Sequence, residues 1–184
     1  PPLHSSAASD VYKRQAIVSE KRIRRRTPVR WKQIRKEMKE LSDLVGIDLN
    51  FPSQFLERGH FQERDLILVD KVPLAFQIQT DSGKSWYPTI RGVLAWNVGK
   101  SWAAVDHGAI PFLMNGADCM GAGIHSADPN IEPGDLMWIR DQQHGKPLAI
   151  GMAIVNGDEM MKMTKGKAIK TIHWVGDELW ELET

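Results

Sequence analysis

This chain of 184 residues is poor in the groups that most enzymes and secreted proteins display. It has one cysteine, Cys119, so no internal disulfide can form and no C-x-x-C pair exists to hold zinc. That usage fits a reducing, cytoplasmic compartment. There is no H-E-x-x-H, no G-x-S-x-G elbow, and no Walker or Rossmann glycine pattern. The six histidines, His4, His60, His107, His125, His144 and His173, include no pair at i, i+4. No apolar run approaches the eighteen or so residues of a membrane span. Two carboxylates twelve residues apart, Asp106 and Asp118, could in principle share a proton. A helix cap for Asp106 and a turn for Asp118 account for them more simply. The expectation is a non-catalytic protein with no cofactor, no metal and no membrane partner.

What is present is unevenly placed. Formal net charge is only +1, yet residues 1–39 hold 12 Lys/Arg against 3 Asp/Glu, and residues 40–184 hold 12 against 20. A basic block on an otherwise acidic protein points to an anionic partner. The run Lys21, Arg22, Arg24, Arg25 and Arg26 is its densest part, and a solvated, fraying tail is the competing reading. Against RNA such a run adds salt-sensitive, sequence-blind affinity. The first fifteen residues, PPLHSSAASDVYKRQ, carry no initiator Met and no amphipathic pattern. They read as a non-native leader, with the native chain missing its start or beginning near Ala16.

Two segments of different character follow. Thr27-Pro28 predicts a helix start, with Thr27 as cap and Pro28 in the first position. Ile34, Met38, Leu41 and Val45 then form one helical face, which Gly46 ends. Leu66–Val69 and Leu74–Ile78 read as strands joined by a turn through Asp70, Lys71 and Pro73. Ile47–Phe51 is a weaker strand candidate, and Asp81–Lys84 a further turn. Thr89–Trp96 reads as a short connecting helix. Residues 16–95 are thus expected to make a small α+β domain. From residue 98 to 184 the pattern is mainly β. Candidate strands are 102–105, 119–124, 136–140, 148–155 and 168–175, separated by turns at 128–130, 133–135, 143–146 and 156–158. Of the seven tryptophans, Trp31, Trp138 and Trp174 read as core, and Trp180 as a tether for the C-terminal tail.

The most informative stretch is VDHGAIPFLMNGADCMGAGI, residues 105–124. It reads as strand, short helix, strand. Asp106 precedes the helix, Pro111 is tolerable only in its first turn, and Asn115-Gly116 supplies a left-handed stop. Free amides at such a helix start suit a phosphate. Ile110, Phe112 and Met120 read first as core packing, and a turn requirement alone would account for Gly108 and Gly123.

This stretch resembles the signature of the PUA domain, an RNA-binding module. Pro133-Gly134-Asp135, Gly145 through Gly151, Gly166-Lys167-Ala168 and Ile172-His173-Trp174 follow in the family's order. With Tyr87 through Arg91 upstream and Gly176 through Trp180 at the end, residues 20–182 resemble archaeal relatives of the malignant T-cell-amplified (translation machinery-associated) factors. Ala122 stands where that family usually has proline, and His107 where a permanent cation is common. The resemblance implies an α+β N-terminal domain before a mainly-β PUA pseudo-barrel. It also implies contact roles for Asp106, His107, Gly108, Ala109, Ile110, Pro111 and Phe112, and for Gly116, Ala117, Asp118, Met120, Gly123 and Ile124. Arg91, Lys100, Lys167 and Lys170 are the candidate cations beside them. The implied partner is RNA, a tRNA acceptor stem or ribosomal RNA, on the small ribosomal subunit with a partner translation factor, during initiation or recycling. The alternative is an RNA-docking accessory subunit of an RNA-modification assembly.

Overall fold

The computed structural model describes residues 21–182, together with Ser9, Asp10 and Lys13. The expected leader over residues 1–15 otherwise lies outside the described residues. The described residues form two sheets with helices packed on them. The first is five-stranded and antiparallel, in the order β1 (Arg24–Pro28), β2 (Leu56–Phe61), β3 (Arg64–Val69), β4 (Val72–Thr80), β5 (Gly83–Pro88). Helix α1 (Trp31–Val45) packs against it, burying Ile34, Met38, Leu41 and Val45, the four residues its periodicity selects. Gly46 ends the helix at φ 71°, in the left-handed region that glycine adopts without strain.

The expected helix start at Thr27-Pro28 is displaced. Thr27 and Pro28 lie in β1, opposite Arg58 and Glu57 of β2, so the backbone there belongs to the sheet. The Val29 amide still donates across to the Leu56 carbonyl at 2.9 Å. The helix begins after Arg30. The Gln33 amide donates to the Arg30 carbonyl at 2.8 Å, and the Arg30 amide donates to the Gln33 side chain at 2.7 Å. The pattern also hides β2, because its charged residues are paired rather than solvated. Glu57, 6% exposed, receives two hydrogen bonds from Arg26 at 2.6 and 3.0 Å, and Arg58 bonds to Glu37.

Ile47–Phe51 is not a strand. It is a loop pinned by Ser42, whose hydroxyl accepts from the Leu49 amide at 3.0 Å. Asp70 and Lys71, at φ 49° and 73°, form a two-residue hairpin turn of the kind whose twist suits the flanking strands. Pro73 lies in β4 and not in the turn.

Helix α2 (Ile90–Trp96) is the connector the sequence predicts, capped by Thr89, whose hydroxyl accepts from the Gly92 amide at 3.1 Å. It lies so close to β4 that a Cβ on Gly92 would stand 2.0 Å from the Leu74 carbonyl oxygen. The second sheet follows, six strands in the order β7 (Cys119–Met120), β11 (Lys167–Trp174), β10 (Pro147–Ala153), β9 (Leu136–Asp141), β6 (Trp102–Val105), β8 (Ile124–Ala127). Among the described residues only β6 and β9 pair in parallel.

The run expected as one strand over 119–124 is broken by a 3-10 turn at Gly121–Gly123. Its two halves pair with opposite edges of the sheet, which wraps it toward a barrel. The expected turn at 156–158 opens a short helix, α4 (Gly157–Met160), because the Asn156 side chain caps the Glu159 amide at 2.8 Å.

Two apolar clusters result. One lies wholly within the second half of the chain, around Val105, Leu113, Ile139, Ala149 and Ile169. The other fills the first sheet and also takes in Leu136, Trp138, Ile150, Leu179 and Leu182 from the second half of the chain.

Candidate nucleic-acid interface

The segment between β6 and β8 forms one continuous rim. After Val105 the chain makes a 3-10 turn (His107–Ala109) and then helix α3 (Ile110–Met114), with Pro111 in its first turn. The left-handed stop is real, with Gly116 at φ 79° and the Ala117 amide donating to the Phe112 carbonyl at 3.0 Å. Gly116 is also required by close approach, since a Cβ there would stand 2.6 Å from the Trp174 indole. One main-chain bond, Asp106 amide to Gly123 carbonyl at 2.9 Å, ties the start of the rim to its end.

Within the rim lies a shallow pocket of about 350 Å³, lined by Asp106, Gly108, Ala109, Phe112, Leu113, Asp118, Cys119, Met120, Ala122 and Gly123. Every lining residue falls inside the 105–124 signature. Phe112 is 67% exposed and Met120 47%. Their assignment to the core is therefore overturned. In a helix this short only Leu113 reaches the core, leaving Phe112 on the outer side. Ile110 is half-buried and Ile124 is buried. Pro111 and Ala117 are exposed, as are His107 and Gly108.

Gly108 is not held by a turn requirement. Its φ is not in the left-handed region, and nothing stands within 4 Å of an added Cβ. Gly123 likewise has no positive φ, though a Cβ there would meet Ala109 at 3.1 Å.

Several expected roles change. The Asp106 side chain caps nothing; its backbone carbonyl accepts from Ala109 at 3.0 Å, and its carboxylate lies 4.0 Å from the His125 ring. The Ala109 and Ile110 amides are taken by the Asp106 and His107 carbonyls. The anion-binding capacity expected of the helix start thus shrinks to the His107 and Gly108 amides.

Asp118 does more than fix a turn. It accepts from the Thr171 amide and from Lys167 Nζ, both at 3.0 Å. Burial alone would raise its carboxyl, but the Thr171 amide and the Lys167 ammonium outweigh that and hold it below the usual carboxylate range. Lys167 is therefore shared with Asp118. Lys170 stays exposed on β11. Cys119 is buried, burial pushes its thiol up to about 12, and it packs as a small apolar residue.

Arg91 and Lys100 leave the site altogether. Arg91 donates to the Trp180 carbonyl at 2.8 Å and lies 4.6 Å from the Trp180 ring centroid. Trp180, expected to tether the tail to the barrel, instead holds it to the connecting helix and packs against the cluster of the first sheet. The Lys100 side chain passes the end of α1, where its Cδ would lie 3.5 Å from a Cβ on Gly46. The basic run is no frayed tail. Arg24, Arg25 and Arg26 belong to edge strand β1, and Arg26 is committed to Glu57.

The pattern of the PUA domain family matches residues 102–175, which span this rim and the sheet that carries it. An uncharacterized protein of Methanocaldococcus jannaschii is 39% identical over 163 residues, covering 88% of this chain and 98% of that protein. The chain belongs to the PUA-domain family. Translation machinery-associated protein 20 of Saccharomyces cerevisiae is 37% identical over 82 residues, 41% of this chain and 45% of the yeast protein. Among solved structures, a conserved PUA domain protein from Thermoplasma acidophilum superposes with a TM-score of 0.71 at 26% identity, covering 84% of this chain and 96% of that one. The archaeal PUA-domain likeness thus runs through the first sheet as well as the second. No helix among the described residues is long and apolar enough to cross a membrane.

Proposed function

We propose that this protein binds RNA without catalysing a reaction on it, and that it takes a structured RNA end, a tRNA acceptor stem, against the Asp106–Ile124 rim. Its setting is the small ribosomal subunit in the cytoplasm, during initiation or recycling, together with a partner translation factor. In this reading residues 16–95 and 98–184 act as two domains, the second holding the RNA end.

One observation carries the reading. Phe112 and Met120 are large apolar side chains left exposed on a folded rim, directly beside Gly108, where no side chain obstructs the surface. An exposed apolar patch of this kind costs solubility and marks a binding face. A duplex end offers the matching surface, a flat terminal base pair for the aromatic ring and phosphates at its edge. Lys167 and Lys170 supply the nearby cations, and the exposed His107 ring a further polar contact. The PUA match and the likeness to a translation machinery-associated protein support the assignment to translation.

The test is Gly108→Glu. The position is open, so the variant folds and melts within a few degrees of the wild type, as surface substitutions do. The new carboxylate repels phosphate, and affinity for a blunt RNA hairpin falls at least tenfold in fluorescence anisotropy. Normal binding by the folded variant would place the RNA elsewhere.

A further inference from the structure

We infer that the cleft between the two sheets is a second nucleic-acid subsite, which holds the sugar-phosphate backbone of a single strand leaving the RNA end. This rests on the proposed function above. The cleft, of about 510 Å³, lies between β3, β4 and β5 on one side and β10 and β11 on the other. Its lining includes Arg64, Lys84 and Lys170, with Gln77, Gln79 and Thr171 between them; Glu63 is the acid among these residues. Its size is in the range of ligand pockets, roughly 300–1,000 Å³.

Arg64 is the telling residue. It is half-buried, and its guanidinium carbon lies 5.5 Å from the Phe76 ring centroid. It donates no side-chain hydrogen bond to any described residue. Asp177 acts on it only through its field, and burial lowers its pKa. An arginine partly stripped of water, laid on a ring and left without a bonded carboxylate keeps its planar donors for an outside oxyanion. Lys84 and Lys170 add charge on opposite walls.

Thr171 joins the cleft to the rim. From the cleft wall it donates its amide to Asp118 at 3.0 Å and its hydroxyl to the Ala117 carbonyl at 2.8 Å, and Asp118 lines the rim pocket. A strand displaced from the terminal base pair at Phe112 therefore passes Lys167 and Lys170 and enters the cleft. The glutamine amides suit sugar and base-edge contacts there.

The experiment compares a blunt RNA hairpin with the same hairpin carrying a four-nucleotide single-stranded extension, on the 3′ side and separately on the 5′ side. With the full chain, one of the two extensions tightens binding about tenfold. In Arg64→Gln with Lys84→Gln that gain disappears, while the blunt hairpin binds as before. Lys84→Gln alone, on the exposed hairpin at the start of β5, reduces the gain part-way and guards against a folding defect from Arg64. Gly108→Glu weakens both RNAs. No gain from either extension, or a gain that survives in the double variant, overturns the subsite and leaves the rim assignment standing. Loss of the gain to an oligoglutamate peptide at the same charge concentration overturns it in favour of an acidic protein segment. Failure of the wild type to bind the blunt hairpin overturns the rim assignment and the subsite together.

Discussion

Single residues carry most of the functional argument, and Phe112 carries the largest share. At 67% exposed it contributes little to the core, so Phe112→Ala changes stability by about 0.5 kcal/mol or less. If it stacks on a terminal base pair, its loss costs about 1–3 kcal/mol of binding, which is roughly 5- to 150-fold in Kd. Paired thermal melts and anisotropy titrations separate the two effects. A variant that binds like wild type removes Phe112 from the interface, and one that melts ten degrees lower returns it to the core. The role of Gly108 was only partly legible in the sequence. The glycine cluster marked the segment, but four glycines in a row of turns look alike on paper. The backbone separates them: Gly116 is locked by its φ and by Trp174, whereas Gly108 is free of both demands. Arg91 is engaged within the fold, which no local pattern shows. A cation near a signature motif looks like a phosphate ligand until its neighbours, here the Trp180 ring and carbonyl, are known.

At the scale of elements, periodicity served well wherever one face was buried. The α1 stripe and most of the second-sheet strands follow from apolar spacing alone. It failed at β1 and β2, whose charged residues are satisfied by partners far along the chain, Arg26 with Glu57 and Arg58 with Glu37. Such pairs are invisible to any local pattern. The Arg24–Arg26 part of the basic run is accordingly a folded edge and not a tail. Deleting it would cut into the sheet, so charge removal at Lys21, Arg22 and Arg25 is the cleaner probe. Each neutralised phosphate contributes about 0.7–0.9 to the slope of log K against log salt. The triple Gln variant is expected to flatten that slope by about 2 for a long RNA duplex while leaving the preference for a duplex end intact. An unchanged slope would show that β1 faces away from RNA. Arg26→Ala has a different outcome. It strands the buried Glu57 carboxylate and costs about 1–3 kcal/mol of stability, measured by urea denaturation.

At the scale of the whole molecule, the end of the chain fixes one half against the other. Leu179 and Leu182 enter the core shared with the first sheet, Gln62 bonds to Glu178, and Arg91 grips Trp180. At the centre of this seam His173, 1% exposed, bonds Asp177 at 2.7 Å with its ring 5.5 Å from Phe76. Burial pushes the His173 imidazole below its usual range, more than the Asp177 hydrogen bond and charge raise it, and Arg64 and Arg91 push the same way as burial. Burial would raise the Asp177 carboxyl, but His173 and the Trp180 and Trp174 amides hold it below the usual carboxylate range. Both shifts act in one direction. Below about pH 6.5 the unfolded chain protonates its histidine and the folded one resists, so stability falls with pH, and it falls again once unfolded carboxylates protonate near pH 4. His173→Gln should flatten the melting temperature between pH 7 and pH 5, and a slope that survives would locate the acid sensitivity elsewhere. The seam joins the two sheets whose strands line the cleft. The central claim is that an RNA end sits on that rim. The most direct measurement is photocrosslinking of an RNA hairpin with a reactive terminal nucleotide, mapped by mass spectrometry. Crosslinks concentrated within Asp106–Ile124, with Phe112 and Met120 foremost, are the predicted result. Crosslinks confined to β1 and the exposed face of α1, with none on the rim, would contradict it.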